Sequence, residues 1–298
     1  MIRVPHRCPL RLLLLAALLV VPACGRDGEG DRGGADAGSA DSGVHPVVAV
    51  PLLPLAGLVD RLLPGETADV VVLVPAGSSP HAFEPGVAQL RQLSDARVIL
   101  LIGHPAFTWE RTWLADAVGR ESDRAVPLAG TCPSIADDPH VWLDPDCLKI
   151  MARAAAAALA AAMPEHGPEI GARLDRLVAA TDSAAAEASR ALGPGAGRTF
   201  LVVHPAWGYF ARAFGLEQVS ILSHGSGDSG AARLAAVIER ARREGIRTVV
   251  VQPQYSAEVA RVVAEEIGGD VAVLDPLRRD PVSLLVETAR VLGRAAAP

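Results

Sequence analysis

Short valine-rich segments alternate with amphipathic segments in two separate series, and one long helical stretch divides these two series. Strands that alternate with helices form parallel, doubly wound sheets, because each crossover helix covers one face of the sheet. The pattern therefore predicts an α/β fold with two doubly wound lobes. The predicted strands are residues 47–50, 70–74 and 98–102 in the first lobe, and 199–203, 248–251 and 271–274 in the second.

The dividing stretch covers residues 168–192 and carries apolar residues at helical spacing. Pro168 stands at its start, and glycines from Gly193 onward end it, as expected at helix termini. A helix of this length is roughly 37 Å long at 1.5 Å per residue, enough to run along two lobes. We predict one rigid linking helix at 167–193, which joins an N-terminal lobe at 46–166 to a C-terminal lobe at 198–298.

The N-terminus has the features of a bacterial targeting segment. Three arginines precede an apolar run at residues 12–21, which is too short to span a bilayer. The run ends in Val-Pro-Ala-Cys, which resembles a lipobox, so residues 1–24 are predicted to be a lipoprotein signal peptide with Cys24 lipidated. An ordinary signal peptide cut nearby is the alternative. Residues 25–45 are mostly Gly, Asp, Ala and Ser and are predicted to be a flexible tether.

An anchor, a tether and a globular body hold a protein at a membrane while it works in water. We therefore expect an extracytoplasmic location, in the periplasm or at the cell surface, with membrane attachment through Cys24. The net charge of −6 is mild and argues against a nucleic-acid partner. We expect a monomer.

Three potential metal ligands, His81, His204 and Asp275, follow predicted strands, and His140 lies in a turn-rich segment between the lobes. Ligands bind outside the carboxyl ends of strands in open α/β sheets, so two facing lobes would place these side chains around one cleft. Three neutral imidazoles and one carboxylate suit a tetrahedral zinc ion. Each residue alone has an ordinary alternative, such as a hydrogen-bonded histidine or an Asp-Pro turn.

Four short motifs resemble those of the zinc- and manganese-binding lipoproteins of ABC importers, the cluster A-I solute-binding proteins. The resemblance runs in order from about residue 47 to the C-terminus. It implies that the protein is not an enzyme. It also implies capture of a metal ion by His81, His140, His204 and Asp275, and delivery to an ABC permease and its ATPase. The motifs are SPHAFEP at 79–85, DPHVWLDP at 138–145, HPAWGYFA at 204–211 and LDPL at 274–277.

The choice of ion depends on the third ligand position. His204 stands where manganese-binding members commonly carry Glu, and three imidazoles favour Zn²⁺ over the harder Mn²⁺. Two departures from the family pattern are also present. Residues 252–254 are Gln-Pro-Gln where Glu-Pro-Gln is frequent, and the histidine-rich loop of many zinc-binding members is missing from 120–137. We predict Zn²⁺ as the transported ion, with Mn²⁺ or Fe²⁺ as the alternative.

Two other functions are open. A zinc hydrolase would need a free coordination position and a base such as Glu84 or Glu110. A surface adhesin of the same fold would bind metal only incidentally. His104, in a segment that echoes the one around His204, is a further possible ligand or a residue supporting one, and His224 is a possible secondary metal contact.

Four cysteines are present, and two of them, Cys132 and Cys147, bracket the motif that contains His140. In an oxidising compartment a disulfide between them is plausible. The sequence does not give the distance between them, so free thiols are the alternative.

Overall fold

The computed structural model describes the body of the chain. All described residues belong to one compact unit, Val44–Pro298. The signal segment, Cys24 and His224 lie outside the described residues, as does the predicted tether except for His45. The described residues are 45–110, 112, 119, 122–135, 137–193, 198–223 and 230–295.

Two parallel β-sheets of the same topology form the framework. The strand orders are β2-β1-β3-β4 and β6-β5-β7-β8, and every pair of neighbours is parallel. In the described part of the chain, the strands are β1 (Val47–Val50), β2 (Asp69–Val72), β3 (Val98–Leu101), β4 (Ala125–Pro127), β5 (Thr199–Val202), β6 (Glu217–Ser220), β7 (Thr248–Val251) and β8 (Asp270–Val273).

Helices connect and cover these strands. Over the same residues they are α1 (Leu53–Leu62), α2 (Val87–Asp95), α3 (Pro145–Ala162), α4 (Gly167–Leu192), α5 (Gly208–Phe214), α6 (Ala231–Glu244), α7 (Glu258–Ile267) and α8 (Pro281–Ala295). The 26-residue α4 is the predicted long helix, and it packs against α3 and α8. None of the described helices is long and apolar enough to cross a membrane.

The strands bury both faces because successive side chains point to opposite sides of a sheet. In β1, Val48 and Val50 belong to the main core, whereas Ala49 packs in a second core with Leu93 of α2. The second sheet shows the same alternation. Its main-core face includes Phe200 of β5, and its outer face packs against α6 and α7.

The main hydrophobic core is continuous between the two lobes. It contains Val48 from the first sheet, Phe200 from the second, and buried residues of α3, α4 and α8. Because packed interiors resist deformation, a core shared in this way restrains the lobes to small relative movements.

Helix boundaries follow local chemistry. Asp144 caps α3, since its carboxylate accepts hydrogen bonds from the backbone N–H groups of Asp146 and Cys147, and Pro145 begins the helix. Asp280 accepts from the backbone N–H of Val282 at 3.1 Å, just before Pro281 begins α8. Gly193, with φ of 66°, ends α4 in a backbone conformation that suits glycine.

The predicted fold class, two doubly wound α/β lobes joined by one long helix, is confirmed. Two edge strands, β4 and β6, were not predicted. The first has three residues and ends in Pro127, and three of the four residues of the second are polar, with Glu217 exposed. Edge strands need little apolar sequence because one side faces no neighbouring strand.

Candidate metal site

Three predicted ligands converge between the lobes. Among the described residues, His81, His140 and His204 form a group whose potential ligand atoms all lie within 4.8 Å of one another. Their ring centroids are 5.4 Å apart for His81 and His140, 4.9 Å for His81 and His204, and 5.5 Å for His140 and His204. A spacing of this kind allows several imidazole nitrogens to reach one ion.

His81 is presented by a short 3-10 helix, Pro80–Ala82, in the loop that follows β2. Its ring stacks on Phe107 with a centroid distance of 5.6 Å, and Phe107 is itself buried. The aromatic platform therefore fixes the ring plane, although His81 itself is only partly buried.

His140 is held by Asp138, two residues earlier in the chain. The Asp138 carboxylate oxygen Oδ1 lies 2.7 Å from His140 Nδ1 and also accepts the His140 backbone N–H at 3.0 Å. Asp138 and His140 are 1% and 2% exposed. An acceptor at Nδ1 orients the imidazole and favours Nε2 as the ligand atom, as in carboxylate–histidine–metal arrangements.

His204 follows β5 and is 4% exposed. The buried Gln252 side-chain amide donates to the His204 carbonyl oxygen at 2.9 Å, and Tyr255 stacks on the imidazole at 4.7 Å. This geometry gives a reason for the departure at position 252. An amide can donate to a carbonyl, whereas an ionised carboxylate in that place has no proton to donate.

Asp275 lies beside the histidine group and outside it. Its Oδ1 accepts hydrogen bonds from Gln254 Nε2 at 2.9 Å and from the backbone N–H of Leu277 at 3.0 Å. Both partners line the cavity that also contains the three histidines. The carboxylate is therefore adjacent to the candidate site, although Asp275 is not among the three side chains whose ligand atoms lie within 4.8 Å of one another.

The cavity is small enough for a single ion. Its accessible volume is about 10 Å³, which is roughly enough for one water molecule. Imidazoles, side-chain amides and apolar atoms line it. Nitrogen donors in a space of this size suit a bare transition-metal ion better than an organic ligand.

Contacts across the lobes hold the His140 segment in place. The Trp142 indole N–H donates to the carbonyl oxygen of Pro276 at 2.8 Å. On the other side of the segment, Arg212 of α5 pairs with Asp144 at 2.9 Å, and the Tyr209 hydroxyl accepts the backbone N–H of Ile135 at 3.0 Å. His140 is thus bonded indirectly to the second lobe as well as to the first.

The other predicted site residues lie elsewhere. His104 is buried, its Nδ1 accepts the backbone N–H of Ala106, and its Nε2 lies 3.4 Å from the Ser134 hydroxyl. Burial lowers its pKa, an effect partly offset by the charge of Asp138. His104 is outside the histidine group found among the described residues. Its segment echoes that of His204 in sequence, but its side chain serves a local turn.

Glu84 and Glu110 were considered as catalytic bases, and neither of them lines the cavity that contains the three imidazoles. Glu84 is exposed. Glu110 is buried, and its two oxygens accept the backbone N–H groups of Ile102 and Gly103, each at 2.9 Å, at the end of β3. Burial raises the pKa of Glu110 to about 7. Glu110 therefore has a structural role, because it binds the backbone N–H groups that follow β3.

Cys132 and Cys147 are free thiols in the structure, with Cys132 Sγ 3.9 Å from the carbonyl oxygen of Cys147. The disulfide between them remains a prediction. Trp142 and Trp207 are fully buried.

Sequence reasoning missed the supporting roles of Asp138, Gln252 and Tyr255. For Asp138 a signal was available, since an aspartate two residues before a potential ligand is suitably placed to orient it. For Gln252 and Tyr255 no local signal existed, because each meets His204 across a separation of about fifty residues.

Two parallel α/β lobes joined by a long helix, with imidazoles clustered between them, define a metal-binding protein of the solute-binding type. Comparison with known families agrees. The chain belongs to the ZnuA family, described as zinc-uptake complex component A, periplasmic, whose model matches residues 48–287.

Individual relatives extend along most of the chain. A Thermotoga maritima protein, named as a candidate metal-binding protein, is 28% identical over 237 residues, which cover 78% of this chain and 85% of the relative. The high-affinity zinc uptake system protein ZnuA of Paracoccus denitrificans is 25% identical over 296 residues, covering 82% and 89%. A ZnuA crystal structure superposes with a TM-score of 0.78 at 31% identity, covering 85% of this chain and 100% of that one.

Proteins of this family are metal-binding components of ABC importers, and they are not enzymes. The family resemblance and the non-enzymatic role predicted from the sequence are therefore confirmed. Membership of a periplasmic family also supports the extracytoplasmic location predicted for the body of the chain.

Proposed function

We propose that this protein captures Zn²⁺ outside the cytoplasm and delivers it to an ABC permease and its ATPase. The observation that carries the proposal is the group of three imidazoles, two of them almost fully buried, whose ligand atoms lie within 4.8 Å of one another. Three imidazoles facing one small cavity offer the nitrogen donors that borderline divalent ions prefer. Metal capture accounts for this arrangement.

In the proposed site, His81, His140 and His204 are three ligands and Asp275 is the fourth. Support for Asp275 comes from its position, since Gln254 and Leu277, which bind its Oδ1, line the cavity. One carboxylate reduces the net charge of the site from +2 to +1 and eases burial of the ion. Ligation by Asp275 requires its carboxylate to move toward the imidazoles when the ion binds.

The donor set supports zinc over manganese. Zn²⁺ accepts three nitrogen donors in a tetrahedral site, whereas Mn²⁺ prefers oxygen donors and higher coordination numbers. Without a thiolate, the site would bind tightly while still releasing its ion to a transporter. In the proposal the protein acts as a monomer and is held to the membrane by a lipid on Cys24.

The first test uses residues 44–298, which contain every described core. The metal-free segment is titrated with Zn²⁺ and with Mn²⁺ by calorimetry, and the protein as purified is analysed for metals. We expect one Zn²⁺ per chain, bound much more tightly than Mn²⁺. His140→Ala should weaken zinc binding at least a hundredfold. Preference for Mn²⁺ would contradict the choice of ion, and no tight site for either metal would contradict the function.

His166→Ala is a matched control, because His166 lies in a 3-10 turn before α4, away from the cavity. It should bind zinc as the parent does. Delivery is tested separately by zinc accumulation in cells that depend on this protein under zinc limitation. His140→Ala should abolish the uptake. Unchanged uptake would favour an adhesin in which metal binding is incidental.

A further inference from the structure

Cys132 and Cys147 lie on either side of the segment that carries His140, fifteen positions apart in the chain. Cys132 is in the loop after β4, and Cys147 is in the first turn of α3. The fold brings them together, with Cys132 Sγ 3.9 Å from the carbonyl oxygen of Cys147. Neither cysteine side chain has a role in the proposed metal site.

We propose that Cys132 and Cys147 are a reactive dithiol that closes to a disulfide in an oxidising compartment, which makes this pair a covalent clamp around the His140 segment. The inference goes beyond the proposed function and holds whichever ion the protein carries. Two cysteines whose side chain and backbone approach within 3.9 Å, one partly exposed and one buried, are suitably placed for an intramolecular disulfide to form by exchange.

The two thiols have unequal roles. Cys132 is partly exposed, and its hydrogen bond with Cys147 lowers the pKa of the Cys132 thiol. Cys147 is 1% exposed, and that hydrogen bond together with burial raises its pKa. Cys132 is therefore the thiol that an external disulfide meets first, and Cys147 is the resolving thiol.

With a low-molecular-weight disulfide such as oxidised glutathione, the exchange has two balanced steps. The Cys132 thiolate attacks one glutathione sulfur, forms a mixed disulfide and releases one glutathione thiolate. Cys147 then loses its proton to solvent and attacks Cys132 Sγ, which forms the internal bond and releases the second glutathione thiolate. The protein loses two electrons and two protons, and one disulfide of the reagent becomes two thiols.

The loop that the clamp would secure contacts the second lobe. The carbonyl oxygen of Pro133 accepts from Arg212 Nη1 at 2.8 Å, and the backbone N–H of Ile135 donates to the Tyr209 hydroxyl at 3.0 Å. At the other end, the Cys147 backbone N–H binds Asp144, which also pairs with Arg212. A disulfide between the cysteines would therefore link the two ends of the segment that makes these contacts.

The test treats the folded, metal-free segment 44–298, which lacks Cys8 and Cys24, with oxidised glutathione in the presence of a chelator. We expect a mass decrease of about 2 Da from loss of two hydrogens, a peptide linking Cys132 to Cys147 on digestion, and loss of both alkylatable thiols. Reduction should lower the melting temperature by about 5–10 °C, because the cross-link restricts the unfolded chain.

Single variants test the order of the steps. Cys147→Ser should accumulate the mixed glutathione disulfide at Cys132, and Cys132→Ser should stay unmodified while folded because Cys147 is buried. The proposal is overturned if the parent protein retains both thiols, if it stops at the mixed disulfide, or if the cysteines link only after unfolding. These outcomes are independent of zinc binding, so the function and the clamp fail separately.

Discussion

The Trp142 indole N–H donates to the carbonyl oxygen of Pro276 at 2.8 Å, between residues 134 positions apart in the chain. One partner follows the ligand His140 by two residues, and the other follows Asp275 directly. The bond therefore joins the two segments that carry proposed ligands from different lobes. It is fully buried, so no water can replace it if it is broken.

Removing this bond should destabilise the protein. Trp142→Phe keeps most of the ring but leaves the Pro276 carbonyl without its donor, and we expect a loss of about 1–3 kcal/mol in unfolding free energy. Urea denaturation of the metal-free segment measures it. Trp207→Phe is the matched control, because Trp207 is equally buried and its indole nitrogen has no hydrogen-bond partner among the described residues. Equal losses in both variants would assign the effect to packing alone.

Asp138 should control zinc affinity without contacting the ion. In Asp138→Asn the charge that favours a protonated His140 Nδ1 is lost, and we expect zinc affinity to fall by about 10- to 100-fold, as for other residues that orient a ligand. Calorimetric titration measures the change. Asp137→Asn is the control, because Asp137 is exposed and has a φ of 61°, which asparagine tolerates. Wild-type affinity in Asp138→Asn would contradict the orienting role.

Gly208 is required because of its close approach to Asp138. A Cβ at this position would overlap Asp138 Oδ2, so Gly208→Ala should displace the carboxylate and weaken both the fold and zinc binding. Thermal melting and zinc titration measure the two effects. Gly171→Ala in α4 meets no atom within 4 Å and should stabilise the protein by about 0.5–1 kcal/mol. If Gly208→Ala binds zinc normally, the site tolerates movement of Asp138.

Glu110 should make stability depend on pH. Its pKa is raised to about 7 by burial, from an ordinary value of 4.5. Between these values the folded protein keeps a proton that the unfolded chain has lost, so unfolding free energy falls as pH rises from 4.5 to 7. Outside this window the contribution of Glu110 does not change with pH. The shift corresponds to about 3 kcal/mol across the window.

Glu110→Gln removes this titration, so its stability relative to the parent should rise by a similar amount between pH 4.5 and 7. Urea unfolding of metal-free protein at several pH values tests the difference. Glu84→Gln, at an exposed position, should follow the parent profile. Parallel profiles for Glu110→Gln and the parent would show that folding does not raise the pKa of Glu110.

Much of the fold was predictable from local patterns. The valine-rich strand β7 was predicted with its observed bounds, and the predicted start and end of α4 agree with the structure to within a residue. These elements are coded by apolar periodicity and by terminal Pro and Gly, which act within a few residues. The edge strand β6 was not predicted because its single paired side requires little apolar sequence.

The sequence by itself determined the order of strands and helices, the long helix between two lobes, and the placing of histidines after strand ends. Only the tertiary structure decided which of these side chains meet. His81 and His204 come within 4.9 Å between ring centroids, Asp275 turns toward Gln254, and His104 serves a turn. Local patterns record burial and hydrogen bonding between near neighbours. Contacts between distant residues depend on how whole elements pack, and no short stretch of sequence contains that information.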